Sequence, residues 1–163
     1  MNRPVRSGAE FAIDDADLSS APLMAVMTET ASDDPWSAES LTKILALPRS
    51  FGLIAQATGQ PLGFLLAQCA AGESEIINLA VAPAARRQGI GGALLTAAVV
   101  RARGMGAQTM FLEVAGDNAA ARALYDRIGF LQVGIRPDYY LRRPDNYVDA
   151  LILRVELITT SGN

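Results

Sequence analysis

The sequence predicts an α/β protein built around one mixed sheet. Short β-rich runs are interleaved with helical patterns along most of the chain, as expected when helices cover a sheet. After Pro83 the apolar residues change from the spacing of a strand to that of a helix. The 163 residues suit one domain, which we place at residues 1–158, followed by a frayed tail at 159–163.

The N-terminal part predicts one strand and two helices. A short strand at Glu10 to Ile13 precedes a helix from about Asp15 to Thr30. A break at Asp34 to Ser37 follows, and the Ser37 hydroxyl is a typical N-cap for a second helix that ends near Leu47. Both helices therefore precede the remaining strands.

The next three strands form the middle of the predicted sheet. Thr58 to Pro61 favours a hairpin turn between the β-rich runs 51–57 and 62–69. The run 75–81 is apolar on both faces, so we predict that it lies in the centre of the sheet and not at an edge. These runs are the second, third and fourth predicted strands.

The C-terminal part predicts two more helices and three more strands. An apolar stripe from Ile90 to Ala98 has helical spacing, and Gly104 can end that helix. Asp117 or Asn118 can cap the last helix, and Gly129 can close it. The strands are predicted at 109–114, 130–135 and 149–156, with the polar and aromatic stretch 136–147 separating the last two.

The chain has no histidine and a single cysteine, Cys69, and both counts exclude whole classes of chemistry. Without imidazole there is no Ser-His-Asp or Cys-His nucleophile and no zinc site that needs histidine. One cysteine excludes an internal disulfide and a CxxC pair, and we interpret Cys69 as a small buried apolar residue. Catalysis then depends on carboxylates, tyrosines, backbone amides or a bound cofactor, without a metal.

The charge balance argues against nucleic acid as the partner. Fourteen basic and seventeen acidic side chains give a net charge of −3, whereas nucleic-acid-binding domains are usually basic. Residues 1–40 carry eight acids and two bases, so this part of the surface favours a cation or is an ordinary solvated acidic face. No apolar run approaches the roughly 18 residues that span a bilayer, and we expect a cytoplasmic protein without membrane contact.

A glycine-rich segment at the start of the third predicted helix, Arg86-Arg87-Gln88-Gly89-Ile90-Gly91-Gly92, predicts an anion site. Glycine costs about 0.5 to 1 kcal/mol relative to alanine inside a helix, so several in the first turn indicate close approach of a ligand. Free N–H groups at a helix start, beside two arginines, suit a pyrophosphate. The segment lacks the Walker lysine and the Rossmann spacing, and a tight turn without any ligand is the alternative.

This segment and several motifs after it resemble a known family. Arg86-x-x-Gly89-x-Gly91 is similar to the acetyl-coenzyme A signature [QR]-x-x-G-x-[GA] of the GNAT N-acetyltransferases. Further motifs resemble the RimI-type N-alpha-acetyltransferases of that superfamily and extend the resemblance over about residues 35–155. They are Pro35-Trp36-Ser37, Leu112-Glu113-Val114, Asn118-Ala119-Ala120-Ala121, Leu124-Tyr125, Gly129-Phe130, Arg136-x-x-Tyr139-Tyr140 and Asp149-Ala150.

The resemblance implies the GNAT fold, in which the mixed sheet splays between its fourth and fifth strands and about four helices flank it. It implies that acetyl-CoA is the co-substrate and that backbone groups of Leu79, Ala80 and Val81 bind its pantetheine arm. Asn118 is expected to contact the coenzyme near its reactive end, and it can cap a helix at the same time. The residues expected to hold the pyrophosphate are Arg87, Gln88, Gly89, Ile90, Gly91 and Gly92.

The resemblance also assigns Glu113 as the general base and Tyr125 as the general acid. Each has an alternative interpretation. Glu113 lies in an apolar strand and can form a salt bridge with an arginine, while Tyr125 can be a core residue with a satisfied hydroxyl. Trp36, Tyr139 and Tyr140 are expected to line an acceptor groove or to anchor loops.

The implied reaction is transfer of an acetyl group from acetyl-CoA to the N-terminal amine of a protein, by direct attack and without a covalent enzyme intermediate. RimI-type enzymes acetylate the N-terminal alanine of small-subunit ribosomal protein 18, so a ribosomal protein is the expected partner. The alternatives are an acetyltransferase for a small amine or a lysine side chain, and a coenzyme A-binding module that does not turn over. We expect a monomer or a weak dimer.

Overall fold

A computed structural model describes residues 10–31 and 35–157. The predicted tail at 159–163 and the predicted break at Asp34 lie outside these ranges. Among the helices within them, none combines the length and the apolar character needed to cross a lipid bilayer.

By their internal contacts, the described residues group into two compact units. Unit 1 takes those within Met1–Leu66 and Asn78–Ala97, and unit 2 takes those within Ala67–Ile77 and Ala98–Asn163. The single domain predicted over residues 1–158 stays a prediction.

The described chain contains seven strands and four α-helices. The strands are β1 (Ala12–Ala16), β2 (Ser50–Ala57), β3 (Gln60–Ala70), β4 (Glu73–Val81), β5 (Thr109–Ala115), β6 (Leu131–Arg143) and β7 (Asn146–Glu156). The helices are α1 (Ala21–Ala31), α2 (Ala38–Leu45), α3 (Ile90–Gly104) and α4 (Ala119–Ile128). Short 3-10 turns lie at Leu18–Ser20 and Pro83–Ala85.

The strands hydrogen-bond in the order β1-β2-β3-β4-β5-β7-β6, which confirms that β4 is central. β4 and β5 run parallel, in a ladder limited to the first three residues of each strand. β1–β2, β5–β7 and β6–β7 are antiparallel. The predicted α/β class with a mixed sheet is therefore confirmed.

In unit 1 the first strand and the first helix begin later than predicted. β1 begins at Ala12 and not at Glu10, and α1 begins at Ala21 and not at Asp15. The later start of α1 is caused by Asp17, whose carboxylate accepts a 2.9 Å hydrogen bond from the backbone N–H two residues later and caps a separate 3-10 turn. The strand therefore takes residues that the predicted helix included.

Two other local predictions for unit 1 agree with the structure. Ser37 caps α2, which ends at Leu45, two residues before the predicted end. The predicted hairpin between β2 and β3 turns at Thr58 and Gly59, which both have positive φ, 50° and 76°. That pair of left-handed residues is typical of the tight turns that match strand twist.

Gly63 allows β3 to approach β4 closely within unit 1. A Cβ at this position would lie 2.8 Å from the carbonyl oxygen of Ala80 and 3.3 Å from the Cα of Val81. Both are backbone atoms, which cannot rotate away as the end of a side chain can. Gly63 therefore constrains the strand segment that the sequence assigns to the pantetheine arm.

In unit 2 the ends of α3 and α4 follow the capping rules, with one change of residue. The left-handed residue that closes α3 is Gly106, with φ +87°, and not Gly104, which is the last helical residue. Asn118 caps α4 and Gly129 closes it with φ +104°, as predicted. The start and the end of the helix that carries Tyr125 are therefore both fixed by local sequence.

The stretch 136–147, predicted as a separating segment, is mostly a hairpin. β6 continues to Arg143 and pairs with β7 along this length. The pairing is irregular, because β6 carries two extra residues between Arg136 and Tyr140 and one extra residue at Arg142. Such bulges break the polar–apolar alternation that marks a strand, which is why the sequence pattern did not predict strands in this stretch.

We expect Gly63→Ala to lower the free energy of unfolding by about 1–3 kcal/mol, since the new methyl group meets backbone atoms. Gly104→Ala is the matched control, because a Cβ there meets no atom within 4 Å and alanine is favoured in helices by about 1 kcal/mol. Urea denaturation measures both variants. Wild-type stability of Gly63→Ala would contradict the close approach of the two strands.

Candidate functional site

The turn before α3 in unit 1 presents a row of backbone N–H groups. The first hydrogen bond of α3 is donated by the Ala93 N–H to the Gly89 carbonyl, at 3.0 Å. The N–H groups of residues 87–92 donate no hydrogen bond to any residue in 10–31 or 35–157. These six donors, which belong to the residues assigned to the pyrophosphate, are available to an anion.

Two left-handed residues shape this turn. Gly89 has φ +81°, and no atom lies within 4 Å of the position that a Cβ would take. Arg87 has φ +63°, a conformation that costs a non-glycine residue about 1 kcal/mol or more. Backbone strain of this kind occurs at ligand-binding turns, but Thr58 in the β2–β3 hairpin also has positive φ, so the conformation of Arg87 is compatible with both interpretations of the turn.

The two arginines of the turn have different roles. The Arg86 guanidinium donates hydrogen bonds to the Val81 carbonyl, at 3.3 Å, and to the Ala31 carbonyl, at 3.4 Å. It therefore ties the turn to the end of β4 and to the end of α1. The exposed Arg87 side chain makes no such contact within the described ranges, so its charge is available to an anion.

The strand segment assigned to the pantetheine arm lies in the same unit. Ala80 is buried, whereas Leu79 and Val81 are partly exposed. The Val81 carbonyl already accepts from Arg86, so one of its two lone pairs is occupied. The Ala82 N–H donates to the Leu62 carbonyl at 2.8 Å, which holds the end of β4 against β3.

In unit 2, Glu113 forms an ion pair with Arg136, with 2.9 Å between Oε1 and Nε. The structure therefore contains the salt bridge to an arginine that the sequence allowed as the alternative interpretation of Glu113. Arg136 pairs with Ala150 in the β6–β7 ladder, and Ala150 pairs with Ala115 in the β5–β7 ladder. Because both alanine side chains are small, the guanidinium has room to reach across β7 to Glu113. Glu113 accepts no aligned hydrogen bond from the described residues, and its side chain is 26% exposed.

Tyr125 has a buried ring and an unused hydroxyl. The residue is 7% exposed, and its ring meets Phe130 edge to face, with 5.7 Å between centroids. Its hydroxyl makes no hydrogen bond with the described residues, in contrast to the satisfied core tyrosine that the sequence allowed. Burial, with a smaller contribution from Tyr140, raises the pKa of Tyr125 to about 12. The phenol therefore keeps its proton at neutral pH.

Tyr139 and Tyr140 belong to a chain of contacts that begins at Glu113. Arg136 lies over the Tyr139 ring, 5.7 Å from its centroid, and the two tyrosine rings meet edge to face at 5.0 Å. Arg142 lies over the Tyr140 ring at 5.4 Å. The structure thus brings the predicted base and two of the predicted acceptor residues into one network.

Asn118 and Trp36 both take part in local structure. The Asn118 side-chain oxygen accepts from the Ala121 N–H at 3.1 Å, while its side-chain amide donates to none of the described residues. In unit 1 the backbone N–H of Trp36 donates to the Thr28 hydroxyl at 3.0 Å, and that hydroxyl lies 3.3 Å from the backbone carbonyl oxygen of Trp36. These backbone contacts tie the segment before α2 to α1 and do not involve the Trp36 indole, whose two predicted roles stay predictions.

The sequence did not predict the pairing of Arg142 with Asp117, which it indicated only as a possible helix cap. The Arg142 guanidinium donates two hydrogen bonds of 2.9 Å to the Asp117 carboxylate. The two residues are 25 positions apart, and no local pattern connects them. The bulge that directs Arg142 depends on the register with β7, which the sequence pattern did not reveal.

Similarity to known proteins identifies the family to which the chain belongs. The chain belongs to the acetyltransferase (GNAT) family, whose model matches residues 21–130 and therefore reaches into both units. A crystal structure of the ribosomal-protein-S18-alanine N-acetyltransferase from Escherichia coli superposes with a TM-score of 0.86 at 29% identity, covering 94% of this chain and 98% of that one. The predicted GNAT fold is confirmed.

Among its relatives are RimI-type proteins. The [Ribosomal protein bS18]-alanine N-acetyltransferase of Escherichia coli K12 is 37% identical over 99 residues, which are 61% of this chain and 66% of the relative. N-alpha-acetyltransferase RimI of Mycobacterium tuberculosis is 37% identical over 112 residues, 66% of this chain and 69% of the relative. The match thus spans about two thirds of the relatives' length, and the resemblance to the RimI-type subgroup is confirmed.

The raised pKa of Tyr125 predicts a loss of stability at high pH. Below pH 10 the phenol is protonated in both the folded and the unfolded chain, whereas between pH 10 and about 12 it ionises in the unfolded chain alone. The free energy of unfolding should therefore fall by about 2–3 kcal/mol more in the wild type than in Tyr125→Phe over this range. Tyr139→Phe, which changes an exposed phenol, is the control, and urea titrations at each pH measure the difference. Parallel pH profiles of wild type and Tyr125→Phe would contradict the buried phenol.

Proposed function

We propose that this protein is an acetyl-CoA-dependent N-acetyltransferase that modifies the N-terminal alanine of small-subunit ribosomal protein 18 in the cytoplasm. The observation that carries the proposal is the turn before α3, where the N–H groups of residues 87–92 donate no hydrogen bond to any described residue and the Arg87 side chain adds a positive charge. The relatives of this chain are named for the proposed reaction. The acidic composition of residues 1–40 is compatible with a basic ribosomal protein as acceptor.

The donor groups of the turn suit the pyrophosphate of coenzyme A. The N–H groups of residues 87–92 lie at a helix N-terminus, where the backbone dipoles favour negative charge, and Arg87 adds a full positive charge. Backbone groups of Leu79, Ala80 and Val81 bind the pantetheine arm. Bound acetyl-CoA supplies the thioester carbonyl that the acceptor amine attacks.

Glu113 removes the proton from the acceptor ammonium, directly or through a water molecule. An N-terminal amine has a reference pKa of about 7.7–8.0, so roughly a tenth of it is neutral near pH 7 and a carboxylate suffices as base. A lysine amine, with a pKa near 10.4, is a harder substrate for the same base. The Arg136 ion pair holds Glu113 in place, and no described residue donates an aligned hydrogen bond to its oxygens, which can therefore accept the proton.

Tyr125 stabilises the departing thiolate by donating a hydrogen bond from its protonated hydroxyl. With its pKa raised to about 12, the phenol is a weaker acid than an ordinary thiol, whose pKa is about 8.5. The hydroxyl therefore lowers the barrier by holding negative charge on sulfur as the C–S bond breaks, and solvent completes the proton transfer. Asn118 contacts the coenzyme, and Trp36, Tyr139 and Tyr140 contact the acceptor.

The acceptor class is tested by thiol release from acetyl-CoA with three kinds of amine. We expect kcat/KM to be highest for peptides that begin with alanine, lower for lysine peptides blocked at the N-terminus, and lowest for small amines. A preference for the blocked lysine peptides would overturn the N-terminal assignment. No thiol release with any acceptor, while coenzyme A still binds, would instead indicate a binding module.

The assigned roles predict that Glu113→Gln and Tyr125→Phe each lower kcat at least tenfold while coenzyme A binding is retained. Glu75→Gln is the matched control, since Glu75 is an exposed carboxylate of β4 outside the proposed site. Thiol release measures turnover, and calorimetry measures coenzyme binding. Unchanged turnover in either site variant would remove that residue from the mechanism.

A further inference from the structure

Arg142 connects β6 to the start of α4 through a two-point bridge. Its Nε and Nη2 each lie 2.9 Å from a different oxygen of Asp117, in aligned hydrogen-bond geometry. Paired hydrogen bonds between a guanidinium and a carboxylate are stronger and more directional than a single contact. The bridge holds the pKa of Asp117 below its ordinary value, mainly through the hydrogen bonds from Arg142, so both partners are charged at neutral pH.

The direction of Arg142 comes from the bulge in β6. Leu141 pairs with Tyr147 and Arg143 pairs with Asn146, so Arg142 is the additional residue on the β6 side. A bulge turns its side chain away from the direction that regular pleating would give it. β6 lies at the edge of the described sheet, and yet only 24% of the Arg142 side chain is exposed to solvent.

The bridge holds more than the two residues that form it. The guanidinium of Arg142 lies over the Tyr140 ring, and Tyr140 meets Tyr139 edge to face. Asp117 directly precedes Asn118, the N-cap of the helix that carries Tyr125. One ion pair therefore connects the tyrosine pair of β6 to the start of α4.

We propose that Arg142 and Asp117 are positioning residues for acceptor binding, which hold Tyr139 and Tyr140 in the arrangement that the acceptor meets. The inference rests on the proposed function, in which these two tyrosines contact the acceptor. Side chains that are ordered before binding cost the acceptor less affinity than side chains that it must order itself. For two tyrosines we expect a difference of about tenfold. Arg142 and Asp117 take no part in proton transfer.

The test uses two separate variants of the full chain, Arg142→Met and Asp117→Asn. The second removes the charge of Asp117 and keeps nearly the same side-chain shape. Arg143→Met is the matched control, because the neighbouring Arg143 is exposed and makes no ion pair among the described residues. Thiol release with an alanine-first peptide gives kcat and both KM values, and calorimetry gives the peptide Kd directly. We expect the acceptor KM and Kd to rise about tenfold in both bridge variants, with kcat and the acetyl-CoA KM within about threefold of wild type.

Reversing the bridge adds a second criterion. Arg142→Asp combined with Asp117→Arg should recover part of the lost affinity, whereas Arg142→Lys should recover little, because an ammonium cannot make the paired contact. Peptide affinity in Arg142→Met equal to that in Arg143→Met would overturn the proposal. A parallel loss of kcat and of both substrates' affinities would also overturn it, since that is the mark of a merely structural role.

The two proposals fail in different ways. If the wild type binds the peptide but releases no thiol, the acetyltransferase assignment fails while the peptide Kd of the variants still decides the role of the bridge. If the wild type does not bind the peptide, the positioning role is overturned. Turnover of the wild type with unchanged peptide Kd in both bridge variants overturns the positioning role alone.

Discussion

The ion pair between Glu113 and Arg136 links the candidate base of unit 2 to the tyrosine pair of β6. A carboxylate on an otherwise apolar strand is costly to bury unless a cation compensates it, and Arg136 does so at 2.9 Å from across β7. Because the contact is ionic and without an aligned hydrogen bond, it compensates the charge and leaves acceptor sites on the carboxylate. The same guanidinium lies over the Tyr139 ring, so one side chain both compensates the charge of Glu113 and contacts the tyrosine pair.

A chain without histidine must separate the tasks that imidazole often combines. The structure places its two candidate groups in opposite surroundings: Glu113 is partly exposed beside a cation, and Tyr125 is buried among apolar groups such as Phe130. Burial opposes ionisation of the phenol, which suits a group that must keep its proton until negative charge develops nearby. The two candidate groups thus differ in environment, and they are not interchangeable.

The features that the sequence predicts well are those that a few neighbouring residues determine. Local backbone conformation accounts for the glycine in the turn before α3, for two helix caps and for one residue that closes a helix. These residues are Gly89, Ser37, Asn118 and Gly129. The hairpin at 136–147 was not predictable in this way, because its bulges exist only relative to the register of β7. The predicted start of α1 was wrong for a related reason. Asp17 caps a short 3-10 turn in the structure, and the pattern of apolar residues did not distinguish that turn from the first turn of a longer helix.

This contrast between local and distant determinants also separates the two substrates of the proposed reaction. The donor side depends on backbone N–H groups, whose positions need glycine and a helix start and little else, so a short motif specifies them. The acceptor side depends on side chains whose directions come from contacts such as Arg142 with Asp117, made between residues far apart in sequence. A short family motif can therefore persist while the side-chain contacts around Tyr139 and Tyr140 change, so the motif alone does not specify the acceptor.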